Sequence, residues 1–229
     1  MKTLDVATDF TGIGAFEQAL KLLNIKHNVI FACDQDKYAR QTYAVNNLTE
    51  FDLAMEKIST LGNLANGDWA GNFYFPHDVY KRKIPTKPLD IYVTTPPCQA
   101  FSLAGKRNGE NDKRGILFYN SHEFITVNKP RFFMFENVKG LLSDAKGRTF
   151  QVWLDMLGGK SVNGNPVIFP REDAVPYHIY YKVLNAKHYG IPQNRERVFI
   201  IGIRDDADNT FNWPQPQPLN KTLKNVLQP

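Results

Sequence analysis

The chain has 229 residues, a formal net charge of +5 and a pI of about 9.1. With 42% hydrophobic and 22% charged residues it is globular rather than disordered, and long enough to bury a core without metal or disulfide support. Two cysteines, Cys33 and Cys98, exclude a disulfide framework and a four-cysteine zinc site. That count favours a reducing compartment. Residues 1–5 carry no apolar signal segment, and no apolar run approaches the ~18 residues of a membrane helix, so a cytoplasmic location is expected. The basic balance permits a polyanionic partner. Lys81-Arg82-Lys83 reads as a solvated surface patch, whereas Lys106-Arg107 and Lys113-Arg114 flank Cys98 and carry more weight.

Residues 4–8 read as a first strand, followed by Asp9-Phe10-Thr11-Gly12-Ile13-Gly14-Ala15-Phe16 and a helical pattern through Leu20 and Leu23. Strand, glycine-bearing turn and helix make a cofactor-binding opening, because glycines admit a ligand to the backbone and a helix N-terminus offers N–H groups. A plain tight turn is the other reading. Glu17 stands where a full Gly-x-Gly-x-x-Gly fingerprint would place its third glycine. Residues 28–33 read as a second strand ending in Asp34-Gln35-Asp36, before a helical stretch over 37–46. A carboxylate at that strand end is placed for ribose hydroxyls. Asp36 suits a helix N-cap better, which leaves Asp34 as the ribose candidate. Residues 51–61 pattern as an amphipathic helix, 62–71 as turn-rich and 73–76 as a short third strand. Asp78 then falls either near an adenine or in a surface turn.

Residues 89–93 read as a buried strand that Pro96 and Pro97 stop, since proline lacks an N–H and fixes φ near about −65°. Cys98 is then presented at the carboxyl edge of the sheet, where open α/β sheets take ligands; a buried, inert thiol is the alternative. Residues 105–115 read as a mobile loop and 116–127 as a helix. The apolar strand over 131–135 leads into Glu136-Asn137-Val138, whose carboxylate either faces the cleft or caps the next helix. A helix is expected over 146–157, a loop over 158–175, and strands over 177–184 and 198–203 that pair antiparallel. The proline-rich tail from 206 reads as a linker or docking strap. There are no internal repeats.

Taken in order, these segments resemble the DNA cytosine-5 methyltransferase family. The resemblance is carried by Phe10-Thr11-Gly12-Ile13-Gly14-Ala15-Phe16, Pro96-Pro97-Cys98-Gln99-Ala100-Phe101-Ser102, Arg114-Gly115-Ile116-Leu117-Phe118, Glu136-Asn137-Val138 and Gln193-Asn194-Arg195-Glu196-Arg197. It covers residues 4–205. It implies an α/β, Rossmann-like S-adenosylmethionine-dependent methyltransferase fold, mostly parallel with an antiparallel last strand. Residues 1–205 would form the catalytic and cofactor-binding domain, and 206–229 a proline-rich tail or linker toward a target-recognition domain. The implied reaction is transfer of a methyl group to C5 of cytosine in DNA through a Cys98 adduct at C6, within restriction-modification or DNA methylation.

By the same resemblance Cys98 is the nucleophile, Glu136 holds the ring N3 and exocyclic amine, and Arg195 and Arg197 supply positive charge. Phe10, Gly12, Ile13, Gly14, Asp34, Gln35, Asp78, Val79, Pro96 and Leu117 would surround S-adenosylmethionine. Gln99, Ser102, Lys106, Arg107 and Arg114 would meet duplex DNA with a flipped cytosine. No metal is implied. Two departures stand out. Thr8-Asp9-Phe10 replaces the family's usual Asp-Leu-Phe, and family members continue past the arginine motif into a target-recognition domain and two further motifs. The chain therefore reads as a catalytic fragment or one subunit of a split enzyme whose partner chain brings that region, poorly active alone. An RNA cytosine-5 methyltransferase and an inactive methyltransferase-like binding subunit are the alternatives. A nicotinamide dehydrogenase leaves Pro96 to Gln99 unexplained.

Overall fold

The computed structural model describes residues 2–47, 69–70, 73–97 and 117–225. The helix expected over 51–61, the loop over 105–115, and Cys98 with its neighbours lie outside the described residues. Two compact units separate, one from residues up to 97 together with those to 134, the other from 135 onward.

In the first unit, β1 (Leu4–Asp9), α1 (Ala15–Leu22), β2 (His27–Cys33), α2 (Lys37–Asn47), β3 (Trp69–Ala70), β4 (Phe73–Tyr74), β5 (Ile91–Thr94) and α3 (Leu117–Asn128) follow in sequence. The strand order is β3-β4-β2-β1-β5. β1 pairs parallel with both β2 and β5, β4 joins β2 in parallel, and β3 closes antiparallel on β4. Strands buried on both faces read as apolar runs, and Val6, Ala7, Phe31, Ala32 and Tyr92 are fully buried. Helix ends follow local chemistry. Asp36 caps α2 by accepting from the Ala39 N–H at 2.7 Å, as its position suggested. Asn24 leaves α1 with φ 55° while the Ile25 N–H returns to the Leu20 carbonyl.

Three expectations shift here. β3 ends the segment read as turn-rich, and β4 has two residues rather than four. β5 begins at Ile91; the Leu89 N–H is taken by the Asn128 side chain, while the Asp90 N–H already reaches the Asp5 carbonyl of β1. Arg82 is not on a solvated patch at all.

Its guanidinium is buried, with Nη2 2.9 Å from Asp9 Oδ2. Nη1 donates to the Val79 carbonyl at 2.6 Å and Nη2 to the Asn120 carbonyl at 2.8 Å. Tyr92 donates its hydroxyl to the same Asp9 oxygen at 2.6 Å. Tyr92 also stacks on Phe124, with ring centroids 4.0 Å apart, and Arg82 lies over that second ring. Burial pushes the Asp9 carboxyl pKa upward, while the Arg82 charge and the Tyr92 hydroxyl oppose it. Burial likewise works against the guanidinium, and Asp9 together with Tyr92 and Cys33 outweighs it, so the Arg82 pKa is raised.

β6 (Phe132–Val138) carries the chain into the second unit. A 3-10 stretch (Lys139–Gly147), α4 (Arg148–Leu157), β7 (Ser161–Val162), β8 (Asn165–Pro166), β9 (Tyr177–Asn185) and β10 (Glu196–Arg204) follow. Here the order is β6-β10-β9-β7-β8. β9 and β10 pair antiparallel from Glu196↔Asn185 to Arg204↔Tyr177, the long pairing the alternation predicted. The loop expected over 158–175 contains the β7–β8 hairpin. Its two-residue turn is Asn163-Gly164, with φ 48° and 82°, the positive-φ pair that Asn-Gly favours. The described tail folds back: Tyr180 donates to Asn209 and packs on Phe211, and the Gln217 N–H reaches the His188 carbonyl.

Arg82→Met leaves Asp9 buried and unpaired and is expected to cost about 3–5 kcal/mol in urea unfolding. Asp9→Leu combined with Arg82→Met removes both charges and recovers most of that loss. A single variant as stable as the parent would contradict the ion pair's role.

Candidate active site

The glycine turn is built at the carboxyl end of β1. The Thr11 N–H bonds the Cys33 carbonyl at 3.1 Å and the Gly12 N–H bonds Asp34 Oδ2 at 2.7 Å, so the turn is pinned to the end of β2. Gly14 has φ 91°, and a Cβ there would stand 2.3 Å from the Asn47 side chain and 3.1 Å from the Tyr43 ring. Both conformation and space therefore require glycine. At Gly12, φ 56°, a Cβ would meet nothing within 4 Å. That open space lies at the turn beside exposed Ile13 and Gln35 and half-buried Asp34.

The other cofactor candidates belong to the same unit. Asp34 Oδ1 also accepts from the Asp36 N–H at 2.8 Å, which fixes its carboxylate with lone pairs to spare for ribose hydroxyls. Asp78 accepts from the Tyr80 N–H and lies 3.6 Å from Lys81 Nζ, a turn arrangement that still presents a carboxylate. Val79 is buried and its carbonyl is held by Arg82. Pro96 is buried after β5, and Leu117 is buried at the start of α3. Phe10 has φ 57°, and the Thr95 hydroxyl donates to its carbonyl at 2.8 Å. The departure at Thr8-Asp9 has a structural account. Asp9 is committed to Arg82 and Tyr92, while Thr8 donates to Glu17 Oε1 at 3.1 Å and meets the Thr11 hydroxyl at 2.9 Å.

Glu17, fully buried on α1, also accepts the Tyr43 hydroxyl at 2.8 Å, which ties α1 to α2 behind the turn. Burial raises its pKa above the ordinary 4.5, against the opposing hydrogen bonds from its own backbone, Tyr43 and Thr8.

In the second unit, β6 alternates: Phe133, Phe135 and Asn137 are buried, and Glu136 lies on the half-exposed face. The strand continues through Glu136 to Val138 rather than ending before it. Arg197 Nε lies 3.0 Å and Arg195 Nη2 3.9 Å from Glu136 Oε1. The acid and arginine motifs, far apart in sequence, thus meet. Arg197 reaches the carboxylate from β10, and Arg195 from the residue that leads into that strand. The approach to β10 is pinned by residues the sequence reading did not single out. Asn185 donates to the Asn194 side chain at 2.8 Å, the Ala186 N–H bonds the Arg195 carbonyl, and Lys139 pairs with Glu196 at 3.0 Å. Asn194 lies inside the quoted arginine motif, so its amide was the available signal. Cys98, Gln99, Ser102, Lys106, Arg107 and Arg114 lie outside the described residues. Among the described residues no His, Cys, Asp and Glu cluster suits a metal ion, and no helix is long and apolar enough to cross a membrane.

A family model for C-5 cytosine-specific DNA methylases matches residues 2–229. The chain belongs to that family. It is 36% identical to the type II methyltransferase M.HpaII of Haemophilus parainfluenzae, over 90% of this chain and 48% of that protein. It is 34% identical to the orphan methyltransferase M.SPRI of Bacillus phage SPR, over 100% of this chain and 43% of that protein. A crystal structure of a Spodoptera frugiperda DNMT2 variant matches with a TM-score of 0.59 at 17% identity, covering 99% of this chain and 60% of that one, a likeness of fold. The chain spans about half the length of the curated relatives it matches. Use of S-adenosylmethionine is typical of methyltransferases in this family.

Because the Glu17 pKa is raised in the folded state, its contribution to stability is fully present below pH 4.5 and is lost as pH rises through the folded pKa. The parent is therefore expected to lose stability across that window, at most roughly 1.4 kcal/mol per pH unit from this group. Glu17→Gln lacks that component, so the difference between the two thermal unfolding profiles should itself depend on pH. A constant difference would show that Glu17 ionises normally.

Proposed function

We propose that the chain carries the cytosine C5 methylation chemistry of its family, with duplex DNA as substrate. The observation that most supports this is the convergence of Arg195 and Arg197 on the Glu136 carboxylate. Phe10, Gly12, Ile13, Gly14, Asp34, Gln35, Asp78, Val79, Pro96 and Leu117 are assigned to the cofactor, Asp34 to its ribose hydroxyls and Asp78 to its adenine amine. S-adenosylmethionine, when bound, supplies a methyl group on a sulfonium and leaves as S-adenosylhomocysteine.

The chain's own residues do the rest. Cytosine C5 is a weak nucleophile, and addition of the Cys98 thiolate at C6 forms an S–C6 bond and moves the ring electrons toward C5. A free thiol has a pKa of about 8.5, so a small fraction is thiolate at neutral pH and the site must favour it. Glu136 binds the ring N3 and the exocyclic amine and shares a proton as charge develops on the ring. Arg197 and Arg195 hold Glu136 in place. Loss of the C5 proton to a base restores the ring double bond and expels the Cys98 thiolate. The base must leave the duplex first, at about a few kcal/mol, and Gln99, Ser102, Lys106, Arg107 and Arg114 are assigned to the surrounding DNA. Residues 206–229 are assigned as a linker toward a target-recognition region, carried by a second chain or by the rest of a longer protein. The setting is cytoplasmic.

DNA containing 5-fluorocytosine tests this directly, since fluorine at C5 cannot leave as a proton. With S-adenosylmethionine present, a denaturation-resistant protein–DNA adduct is expected, weak with this chain alone and strengthened by a chain supplying target recognition. Cys98→Ser abolishes the adduct, and Glu136→Gln slows its formation by about 10²–10⁴-fold. An adduct that survives Cys98→Ser, or none in any context with either preparation, would overturn the assignment.

A further inference from the structure

We propose that Arg40 is a positioning residue that sets the spacing between Asp34 and Asp78, and so fixes how a nucleoside is held at both its ribose and its adenine end. The inference deepens the cofactor assignment of the preceding section and rests on it. Arg40 lies on α2 and is 2% exposed, an unusual place for a cation. Its guanidinium takes two main-chain carbonyls from different strand ends. Nη1 donates to the Asp34 carbonyl at 3.3 Å, just past β2, and Nη2 to the Phe75 carbonyl at 2.8 Å, just past β4. The same group lies 4.2 Å over the Phe75 ring, which packs on Tyr43 with centroids 5.0 Å apart. Ring and carbonyls together hold the guanidinium in one orientation.

The sheet itself does not set that spacing. β2 and β4 share one paired position, Phe31 with Tyr74, and Pro76 has no N–H to carry a ladder further. Beyond that pair Arg40 bridges the two strand ends. β2 delivers Asp34 directly, and β4 leads through Pro76 and His77 to Asp78, three residues past Phe75. Each carboxylate is fixed locally, Asp34 by the Gly12 and Asp36 N–H groups and Asp78 by the Tyr80 N–H. What remains is their separation, and the planar fork of one guanidinium determines it. A lysine keeps the charge but presents no pair of donors in a fixed plane.

Calorimetry with two ligands reads the spacing without catalysis. S-adenosylhomocysteine offers Asp78 an amine donor, whereas S-inosylhomocysteine offers a carbonyl oxygen in its place. The parent chain is expected to prefer the first by about tenfold or more. Arg40→Lys should weaken S-adenosylhomocysteine binding by about fivefold and lower that preference to under about threefold, because the ribose and adenine contacts are no longer made together. Arg40→Gln, a shorter neutral side chain, should behave likewise, with melting temperatures recorded for both variants. A residue that only stabilises the fold would weaken both ligands alike and leave the preference at its parent value. That result, or variants that bind as the parent does, overturns the inference alone. A parent that does not bind S-adenosylhomocysteine, or does not distinguish the two ligands, removes the cofactor assignment and this inference with it.

Discussion

A charged group in an apolar interior must be answered, and the first unit is arranged around that demand. Asp9 ends the central strand β1 fully buried, where an unpaired carboxylate would cost several kcal/mol, of the order of ~3–5. Arg82 answers it from the segment after β4, and a guanidinium brings more donors than one carboxylate oxygen can accept. Nη1 takes the Val79 carbonyl and Nη2 also takes that of Asn120, while the buried Nε has no partner. One buried cation thereby fixes the end of β1, the 78–82 turn and helix α3 against each other. Those three pieces carry Phe10, Asp78, Val79 and Leu117. The residues assigned to the cofactor in the proposed function are thus held in place from behind by a buried ion pair.

The first unit holds a glycine turn tied to β2 through Asp34, and the second holds a carboxylate with two arginines beside it. Sequence connects them at a few points, and β6 is one: its first residues belong to one unit and Glu136 to the other. Strand periodicity is what makes the second site precise. Glu136 projects from the face of β6 opposite Phe135 and meets Arg197 of β10, while Arg195 comes from the residue just before that strand, held there by the Ala186 N–H on its carbonyl.

Local chemistry was legible in the sequence, and distant pairing was not. The glycine turn, the Asp36 cap and the paired last strands follow from spacing and residue type, whereas the acid and arginine motifs were marked only by the family resemblance and their contact by nothing nearby in the sequence. Arg82 misled because a Lys-Arg-Lys run normally faces solvent, and nothing nearby signals that a carboxylate on the first strand will claim the middle residue. Thr95 gave no signal either, since a hydroxyl before two prolines is unremarkable until the Phe10 carbonyl stands opposite. The Asn163-Gly164 turn is different: its dipeptide is a strong hairpin signal, obscured by the polar, proline-containing segment around it. Strand β5 begins two residues later than periodicity suggests, and the Leu89 amide assigned to the ladder goes to the Asn128 side chain.

The Glu136 geometry also bears on the proposed chemistry. There Glu136 accepts from the exocyclic amine and shares a proton with the ring nitrogen, and two guanidinium groups stand beside it. Both arginine contacts fall on Oε1, with Arg197 at 3.0 Å and Arg195 at 3.9 Å. The carboxylate is therefore asymmetric, with one oxygen neutralised by the protein and Oε2 bearing neither contact. The first suits an exocyclic amine, which donates and needs an acceptor. The second suits the ring nitrogen, which gains basicity as the thiolate adds and can then draw a proton into a shared bond. Two arginines on one oxygen thus make the two ends of a single carboxylate inequivalent, so that in the proposed chemistry each can meet a different group of the ring.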